Sequence, residues 1–321
     1  MRYVVFGAGA VGGVVGARLF ASGQEVVLIA RGPHLEAIQR HGLSVRDPEG
    51  EQTLAITAVA HPSEIDFRPD DVVLLTVKTQ DTERALIDLE AAAGNDVAVF
   101  CCQNGVENER LAARRFRRVY GVYEIILVTY LTPGVVQTSW TPIAGILDVG
   151  CYPGGIDATA AAVSADLEAA RLSSRPVADI RRWKYAKLLA NLPNPLDAVC
   201  GLDADTRELA TCIQAEGKAA LAAAGITCAS RAEAAARRDL TTLNLPAPHF
   251  GNSTWQSIAR GAGAVETDFL NGEIVLLGRL HGVPTPFNEA VRRIANRVAR
   301  DRRAPGSVTP AEVRRLAEAL A

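Results

Sequence analysis

Short runs of aliphatic and β-branched residues alternate with helical patterns along the first half of the chain. The runs predict strands at 2–6, 25–30, 43–46, 53–58, 72–77 and 97–102. The patterns between them predict helices at 11–22, 33–40 and 82–93. Strands that alternate with helices of this length indicate right-handed βαβ units and a parallel sheet that is covered on both faces.

Three further apolar runs, at 125–128, 135–138 and 146–149, are separated by turns that contain proline or glycine. We expect them to be later strands of the same sheet, followed by a helix at 156–170 and a short strand at 175–177. Beyond about residue 179 the spacing is helical, with helices predicted at 204–224, 231–240, 266–281, 287–301 and 310–320. The sequence therefore predicts an α/β domain over 1–178 and an all-α domain over 179–321.

Composition excludes several classes of protein. The 321 residues suit two domains, and 48% apolar with 22% charged residues is typical of a globular chain. A formal net charge of −2 gives no general reason to expect nucleic-acid or membrane binding. No apolar run approaches the roughly 18 residues of a membrane span, and the first strand begins at residue 2, so we expect a cytoplasmic protein.

The cysteine and histidine residues do not indicate a metal site. Six cysteines show no CxxC spacing, and the five histidines are scattered along the chain. Adjacent Cys101 and Cys102 would point to opposite faces of a strand and could not ligate one ion together. We therefore predict no metal.

A GxGxxG motif joins the first strand to the first helix. It consists of Gly7, Ala8, Gly9, Ala10, Val11 and Gly12. In this setting the first glycine allows the tight turn, the second allows close approach of a pyrophosphate, and the third allows the helix to pack on the strand. The helix N-terminus adds free N–H groups and a partial positive charge. The motif predicts a Rossmann-type domain that binds a dinucleotide.

The end of the second strand distinguishes between the two nicotinamide dinucleotides. Sites selective for NAD usually carry an acidic residue there for the ribose 2′-hydroxyl. This strand instead ends at Ala30 and Arg31. A guanidinium suits a 2′-phosphate, so NADP(H) is the predicted cofactor, although Arg31 could also simply point to solvent.

Lys78 and Asn104 follow two of the strongest predicted strands. Open α/β sheets bind their ligands at the carboxyl ends of the strands, where both residues are expected to lie. Taken separately, Lys78 could be a surface lysine and Asn104 part of an Asn-Gly turn. Their joint position favours a role in cofactor or substrate binding.

The segment that opens the second domain carries the candidate acid. Lys187 and Asn191 are four residues apart and share one face of a helix, and Asn194 follows on the same side. Reduction of a ketone produces an alkoxide that must be protonated, and a partly buried lysine can supply that proton. A solvated polar helix face is the alternative interpretation.

Two later segments could complete the site. The hydroxyls of Ser253 and Thr254 could bind a substrate carboxylate. Glu266 could anchor the Lys187 ammonium or a ribose hydroxyl, or could be an ordinary acid of a first helical turn.

These motifs, taken together, resemble the ketopantoate reductase (2-dehydropantoate 2-reductase) family along nearly the whole chain. The resemblance is carried by residues 7–12, Arg31, Val77-Lys78, Gln103-Asn104-Gly105, the K-x3-N of Lys187 and Asn191, Asn194-Pro195-Leu196, Ser253-Thr254, Glu266–Gly272 and His281–Pro286.

The resemblance implies a helical domain like the C-terminal domain of 6-phosphogluconate dehydrogenase, with NADPH between the two domains. It implies NADPH-dependent reduction of a 2-oxo acid, most simply ketopantoate to pantoate in pantothenate biosynthesis. Lys187 would be the general acid and Glu266 a partner of the substrate or of that lysine. Asn104, Asn191 and Asn194 would hydrogen-bond cofactor or substrate, and Ser253 or Thr254 would lie near the substrate carboxylate.

Two departures from the family pattern fall on substrate contacts. Only Leu192 and Pro193 separate the two asparagines, where the family commonly has three residues, and Pro193 should disturb the helix. Trp255 places an indole in a stretch that is commonly free of aromatic residues in the family, so an aromatic ring is expected to enter the substrate pocket.

Three interpretations of the function stay open. The chain could reduce ketopantoate, reduce a different and bulkier 2-oxo acid, or sense NADP(H) without catalysis. Retention of Lys187 with Glu266 favours an enzyme.

The sequence also leaves expectations about partners and about a second lysine. We expect a small 2-oxo acid as the binding partner, and we consider a homodimer as the assembly. Lys184 is a second lysine that could act in place of Lys187.

Overall fold

In a computed structural model, which describes residues 1–238 and 251–321, most strands of the first 102 residues lie where the pattern predicts them. The single strand predicted at 125–128 is wrong, because residues 125 and 126 end one long strand and residue 128 begins another in a different sheet. The strands are β1 Arg2–Phe6, β2 Glu25–Ile29, β3 Leu43–Asp47, β4 Gly50–Leu54, β5 Thr57–Val59, β6 Asp71–Leu75, β7 Ala98–Cys101, β8 Arg118–Ile126, β9 Val128–Thr132, β10 Val135–Thr138 and β11 Gly145–Cys151.

Helices connect these strands and make up most of the second half of the chain. They are α1 Ala10–Ala21, α2 Gly32–His41, α3 Thr82–Ala93, α4 Asn108–Ala112, α5 Ala158–Ala169, α6 Ile180–Asn191, α7 Asn194–Cys200, α8 Arg207–Ala223, α9 Arg231–Arg238, α10 Ser253–Ala259, α11 Asn271–His281, α12 Pro286–Arg300 and α13 Pro310–Leu320. Residues 239 and 240 of the helix predicted at 231–240 lie outside the described residues.

The larger sheet has seven strands in the order β11-β8-β7-β6-β1-β2-β5. All neighbouring pairs are parallel except β8 and β11, which are antiparallel. The chain leaves β1 towards β2 on one side and returns to β6 on the other, so the strand order reverses between β1 and β6. Open α/β sheets bind ligands at such a reversal, outside the carboxyl ends of the strands. The predicted α/β fold with a parallel sheet is confirmed.

The prediction that all the later strands join this sheet is wrong. β9 and β10 belong to a second, four-stranded sheet in the order β4-β3-β10-β9. The strand predicted at 53–58 is also divided, because β4 lies in the small sheet and β5 in the large one. Residues 175–177 form no strand. Pro176 makes only an isolated bridge to Val149, consistent with a residue that has no N–H to donate to a ladder.

Hydrophobic cores lie on both faces of the large sheet. Tyr3 packs on one face with residues of α1, α5 and the small sheet, and Val4 packs on the other with residues of α3. Cys101 and Cys102 alternate in the same way, one in each core, as predicted for neighbours at the end of a strand. This two-sided burial explains why the parallel strands are almost continuously apolar.

The chain divides into two compact units. The first contains Met1–Lys184 and, among the later described residues, 230–238; the second contains Tyr185–Ala229 and 251–321. The helix α9 therefore belongs to the first unit, although its sequence position suggested the helical domain. Its attachment is electrostatic: the buried Arg237 places Nη2 2.7 Å and Nε 2.9 Å from the two carboxylate oxygens of Asp148 on β11.

The described part of the second unit contains no strand and is built from packed helices. Its last helix begins as predicted, since Thr309 and Glu312 form a capping box with Pro310 in the first turn. The helix predicted at 266–281 is shorter, because Glu266–Asp268 forms a separate 3₁₀ turn before α11. The short helices α7 and α10 were not predicted.

Within 1–238 and 251–321, no helix is long and apolar enough to cross a membrane. The same residues contain no group of three or more His, Cys, Asp or Glu side chains that could hold a metal ion.

Candidate active site

The glycine-rich loop lies at the carboxyl end of β1, beside the reversal of strand order. Gly7 has a φ of +110°, which favours glycine, and the N–H groups of Gly7 and Ala8 donate to the carbonyl of Ile29 at 3.1 and 3.0 Å. These bonds tie the loop to the end of the neighbouring strand β2. The tight turn expected of the first glycine is therefore present.

The other two glycines of the motif differ in the space around them. A Cβ added to Gly12 would lie 2.5 Å from Thr76 Oγ1 and 2.8 Å from Val5 Cγ1, so α1 packs on the sheet at van der Waals distance there. A Cβ added to Gly9 would have no neighbour within 4 Å among the described residues. Gly12 therefore serves packing, whereas Gly9 leaves open space in which a bulky group can approach the backbone.

Thr76, a residue that carries no motif, supports this loop from the end of β6. Its Oγ1 donates to the carbonyl of Gly7 at 2.8 Å, and its N–H donates to the carbonyl of Phe6 at 2.9 Å. A threonine directly after a buried strand was the available signal, but its partners lie about 70 residues away.

The N-terminus of α1 has the electrostatics of an anion site. Gly9 is its N-cap, and no acidic residue lies in the first turn. The first N–H groups of a helix have no intrahelical acceptor and carry a partial positive charge. Together with the open space at Gly9, this geometry fits the pyrophosphate of a dinucleotide.

Arg31 lies at the end of the adjacent strand β2. It is the N-cap of α2, and its side chain is exposed. Phe6 and Ile29 are register partners in β1 and β2, so Arg31 follows its strand at the same edge of the sheet as the glycine loop. Its guanidinium makes no hydrogen bond or ion pair within 1–238 and 251–321, which leaves its charge available to a phosphate.

Lys78 and Asn104 lie at the same edge, after β6 and β7. Leu75 and Cys101 are register partners in these neighbouring strands, and both candidate residues are partly buried. Asn108 Nδ2 donates to the Asn104 carbonyl at 3.1 Å, which fixes the turn that carries Asn104. The structure thus brings the loop, Arg31, Lys78 and Asn104 to one edge of the sheet of the first unit.

The side chain of Lys184 is buried, and its ammonium is hydrogen-bonded. Its Nζ pairs with the carboxylate of Glu109 and donates to the carbonyls of Gln103 at 3.0 Å and Cys101 at 3.4 Å. An ammonium has three hydrogens, and three acceptors are present. Lys184 therefore ties the start of α6 to the end of β7 within the first unit.

Lys187 and Asn191 lie four residues apart on one face of α6, and both are partly buried. The helix ends at Asn191, and Pro193 becomes the N-cap of α7, as expected for a residue that cannot continue a helix. Asn194 is therefore the first residue of α7. The expectation that it continues the Lys187 face of the same helix is wrong.

Asn252 joins two of the substrate candidates within the second unit. Its Nδ2 donates to the Asn194 carbonyl at 2.9 Å, and its Oδ1 accepts from the N–H of Thr254 at 3.1 Å. The start of α10, with Ser253 and Thr254, is thereby held next to the start of α7. The Trp255 ring lies against Gly251, where an added Cβ would be 2.5 Å from the indole.

Glu266 is partly buried and begins the 3₁₀ turn that precedes α11. The buried Asn271, at the start of that helix, donates through Nδ2 to the Leu192 carbonyl at 3.0 Å. Leu192 lies between Asn191 and Asn194, so Asn271 fixes the turn that carries both asparagines. Asn271 lies within the motif Glu266–Gly272, whose sequence alone does not indicate this contact with the turn at Leu192.

Comparison with known proteins identifies the family. A model described as ketopantoate reductase PanE/ApbA matches residues 3–154, and a model of the C-terminal part of the same family matches 179–299. The chain belongs to the ketopantoate reductase family. Members of this family are oxidoreductases that use a nicotinamide dinucleotide.

Individual relatives are similar over nearly their full length. A 2-dehydropantoate 2-reductase from Pyrococcus horikoshii is 31% identical over 90% of this chain and 94% of its own. One from Archaeoglobus fulgidus is 28% identical over 92% of this chain and 97% of its own. Both match the chain across its two units.

Solved structures share the fold. A PanE/ApbA family ketopantoate reductase from Ralstonia eutropha superposes with a TM-score of 0.80 at 26% identity, covering 94% of this chain and 99% of the other. A D-mandelate dehydrogenase, solved with NADH and anilino(oxo)acetate, gives a TM-score of 0.79 at 22% identity, with the same coverage. The second likeness concerns the fold alone.

Proposed function

We propose that this chain reduces 2-dehydropantoate (ketopantoate) to pantoate, with NADPH as the reductant and Lys187 as the general acid. The observation that carries the proposal is the match of both family models to a chain whose glycine loop has room for a dinucleotide beside Gly9. The relatives named as 2-dehydropantoate 2-reductases, which match over about nine tenths of the chain, support the substrate.

The first unit would hold the cofactor. Residues Gly7, Ala8, Gly9, Ala10, Val11 and Gly12 present backbone N–H groups and the N-terminus of α1 to the pyrophosphate. Arg31, with no described partner and no neighbouring carboxylate at the end of β2, would bind the 2′-phosphate and favour NADPH over NADH. Lys78 and Asn104 would contact the cofactor from the ends of β6 and β7.

Lys187 would deliver the proton. When bound, NADPH supplies a hydride to the 2-keto carbon, and the carbonyl oxygen then needs a proton to become a hydroxyl. Lys187 is partly buried, and its ammonium can act as the general acid that supplies this proton. Among the described lysines Lys184 is committed to Glu109, so Lys187 is the better candidate.

The remaining candidates would orient the substrate. Asn191 and Asn194 would hydrogen-bond the substrate or cofactor, and Asn194 is fixed through its carbonyl by Asn252. The hydroxyls of Ser253 and Thr254, at the start of α10, would bind the carboxylate. Glu266 would bind the substrate or the Lys187 ammonium.

A bulkier 2-oxo acid is the second candidate substrate. Trp255 packs against Gly251 directly after the two hydroxyl residues, so an aromatic ring lies beside the proposed carboxylate site. A ring in this place could stack on an aromatic or long aliphatic substituent. The chemistry would be the same, with only the side chain of the oxo acid changed.

The test is NADPH oxidation by the purified protein with ketopantoate and a panel of larger 2-oxo acids, including phenylglyoxylate. We expect ketopantoate to have the highest kcat/KM. A larger acid that exceeds it by tenfold or more would select the second candidate. Tight NADPH binding without turnover of any acid would contradict both candidate substrates and favour a sensor of NADP(H).

The cytoplasmic location and the homodimer stay predictions.

A further inference from the structure

A buried histidine contacts the proposed cofactor loop. His34 lies in the first turn of α2, three residues after Arg31, and is 6% exposed. Its Nε2 lies 2.7 Å from the carbonyl oxygen of Ala8, the second residue of the glycine-rich loop. Its Nδ1 accepts from the N–H of Gly134 at 2.9 Å.

These two bonds determine the tautomer of the ring. A backbone N–H can only donate, so Nδ1 carries no proton and accepts from Gly134. The proton is then on Nε2, which donates to Ala8. Burial lowers the pKa of His34, so the ring is neutral at pH 7 and can keep both bonds.

The ring therefore connects three separate segments of the first unit. Ala8 belongs to the loop after β1, and Gly134 belongs to the turn between β9 and β10. That turn packs tightly on α2, since a Cβ added to Gly134 would lie 2.8 Å from Ala37 Cβ. The Tyr130 ring, with its centroid 4.5 Å from that of the imidazole, packs against the same histidine.

We propose that His34 is a positioning residue that sets the separation between the glycine-rich loop and Arg31, and so supports recognition of the 2′-phosphate of NADPH. The inference rests on the proposed function, because it assigns the pyrophosphate to the loop and the 2′-phosphate to Arg31. A dinucleotide must reach both at once, so a shift of α2 against the loop weakens the contact at Arg31. NADH makes no 2′-phosphate contact and is less sensitive to that shift.

Other roles explain the contacts less well. A residue that only fills the core needs no polar atoms, and an apolar side chain would avoid the desolvation of two ring nitrogens. Within the described part of the chain His34 belongs to no group that could hold a metal. Both nitrogens instead bind backbone atoms of segments 26 and 100 residues away.

The test compares NADPH and NADH binding by calorimetry, without substrate, in the wild type and three variants. His34→Ala should raise the NADPH Kd about tenfold, the equivalent of roughly one hydrogen bond, and the NADH Kd less than about threefold. His34→Gln, which can still donate to Ala8, should restore most of the NADPH affinity. His34→Asn, too short to reach Ala8, should not.

A double-mutant cycle with Arg31→Ala checks the route of the effect. If His34 acts through Arg31, then His34→Ala should change the NADPH Kd by less than about twofold once Arg31 is removed. Should His34→Ala lack a cooperative thermal transition, the comparison of His34→Gln with His34→Asn decides, because both variants keep a carboxamide and differ only by the methylene that sets its reach. The inference would be overturned if His34→Ala weakened the binding of NADPH and NADH equally. It would also be overturned if the effects of His34→Ala and Arg31→Ala on the NADPH Kd were additive. A wild type that binds neither dinucleotide would instead contradict the proposed function.

Discussion

The three glycines of the loop show how single residues divide the tasks of folding and binding. Gly7 has a backbone conformation that favours glycine, and Gly12 has no room for a side chain. Gly9 is different, because its φ of −70° is accessible to alanine and nothing described lies where a Cβ would be. At Gly9 the fold leaves room for a side chain, so the proposed pyrophosphate site is the reason to expect glycine there.

This difference predicts opposite outcomes for two matched substitutions. Gly12→Ala should lower the free energy of unfolding by about 1–3 kcal/mol, because the new methyl group overlaps Thr76 and Val5. Gly9→Ala should change it by less than about 0.5 kcal/mol and raise the NADPH Kd more than tenfold. Urea unfolding and NADPH titration of both variants measure this. A Gly9→Ala protein that binds NADPH normally would show that the open space is not the pyrophosphate site.

Residue roles could be predicted from the sequence where the chemistry is local. The glycine motif and Arg31 lie within 25 residues of one another, and their spacing carries the information. His34 and Lys184 were missed or left ambiguous because their roles depend on partners that are distant in the chain. Gly134 is 100 residues from His34, and Glu109 is 75 residues from Lys184. An isolated histidine or lysine looks the same in a sequence whether or not such a partner exists.

At the scale of elements, the hydrophobic pattern predicts where a helix or strand lies and how long it is better than it predicts which neighbouring strand it pairs with. The bounds of β1, α3, β10 and α13 agree with the prediction, because each is set by local periodicity and by caps. The pattern of β10 says nothing about which strand it pairs with, and it pairs in parallel with β3, about 90 residues earlier. The small sheet was missed for that reason. Short helices such as α7 have too few turns to show a period.

The attachment of α9 to the first unit yields a prediction about stability. Arg237→Ala removes the ion pair with Asp148 and leaves that buried carboxylate with two contacts to the more exposed Arg175, from its guanidinium at 3.3 Å and its backbone N–H at 3.1 Å. Breaking a buried pair is strongly destabilising, so we expect a loss of about 3 kcal/mol in the free energy of unfolding.

Arg231→Ala is the matched control for this change. Arg231 lies on the same helix, is exposed and has no described ion pair, so its loss should change stability by less than about 0.5 kcal/mol. Thermal unfolding followed by circular dichroism measures both variants. If Arg237→Ala unfolds at the same midpoint temperature as the wild type, α9 is held by contacts other than the ion pair with Asp148.

At the scale of the whole molecule, each unit carries one part of the proposed chemistry. The first presents the glycine loop, Arg31, Lys78 and Asn104 at the carboxyl edge of its sheet, where the strand order reverses between β1 and β6. The second holds Asn194, Ser253 and Thr254 together through Asn252. Family membership was accessible from the sequence because motifs from both units occur in one order along the chain. The choice of 2-oxo acid was not, because it depends on the shape around residues such as Trp255.

The measurement that tests this account most directly is steady-state reduction of ketopantoate by Lys187→Ala, with Lys218→Ala as the control. Lys218 is an exposed lysine of α8 with no proposed role, and its loss should leave kcat within about twofold. Loss of a general acid should lower kcat by about 10²- to 10⁴-fold while the NADPH Kd stays within about threefold. If Lys187→Ala keeps more than about a tenth of the wild-type kcat, the proton comes from another group and the central claim is contradicted.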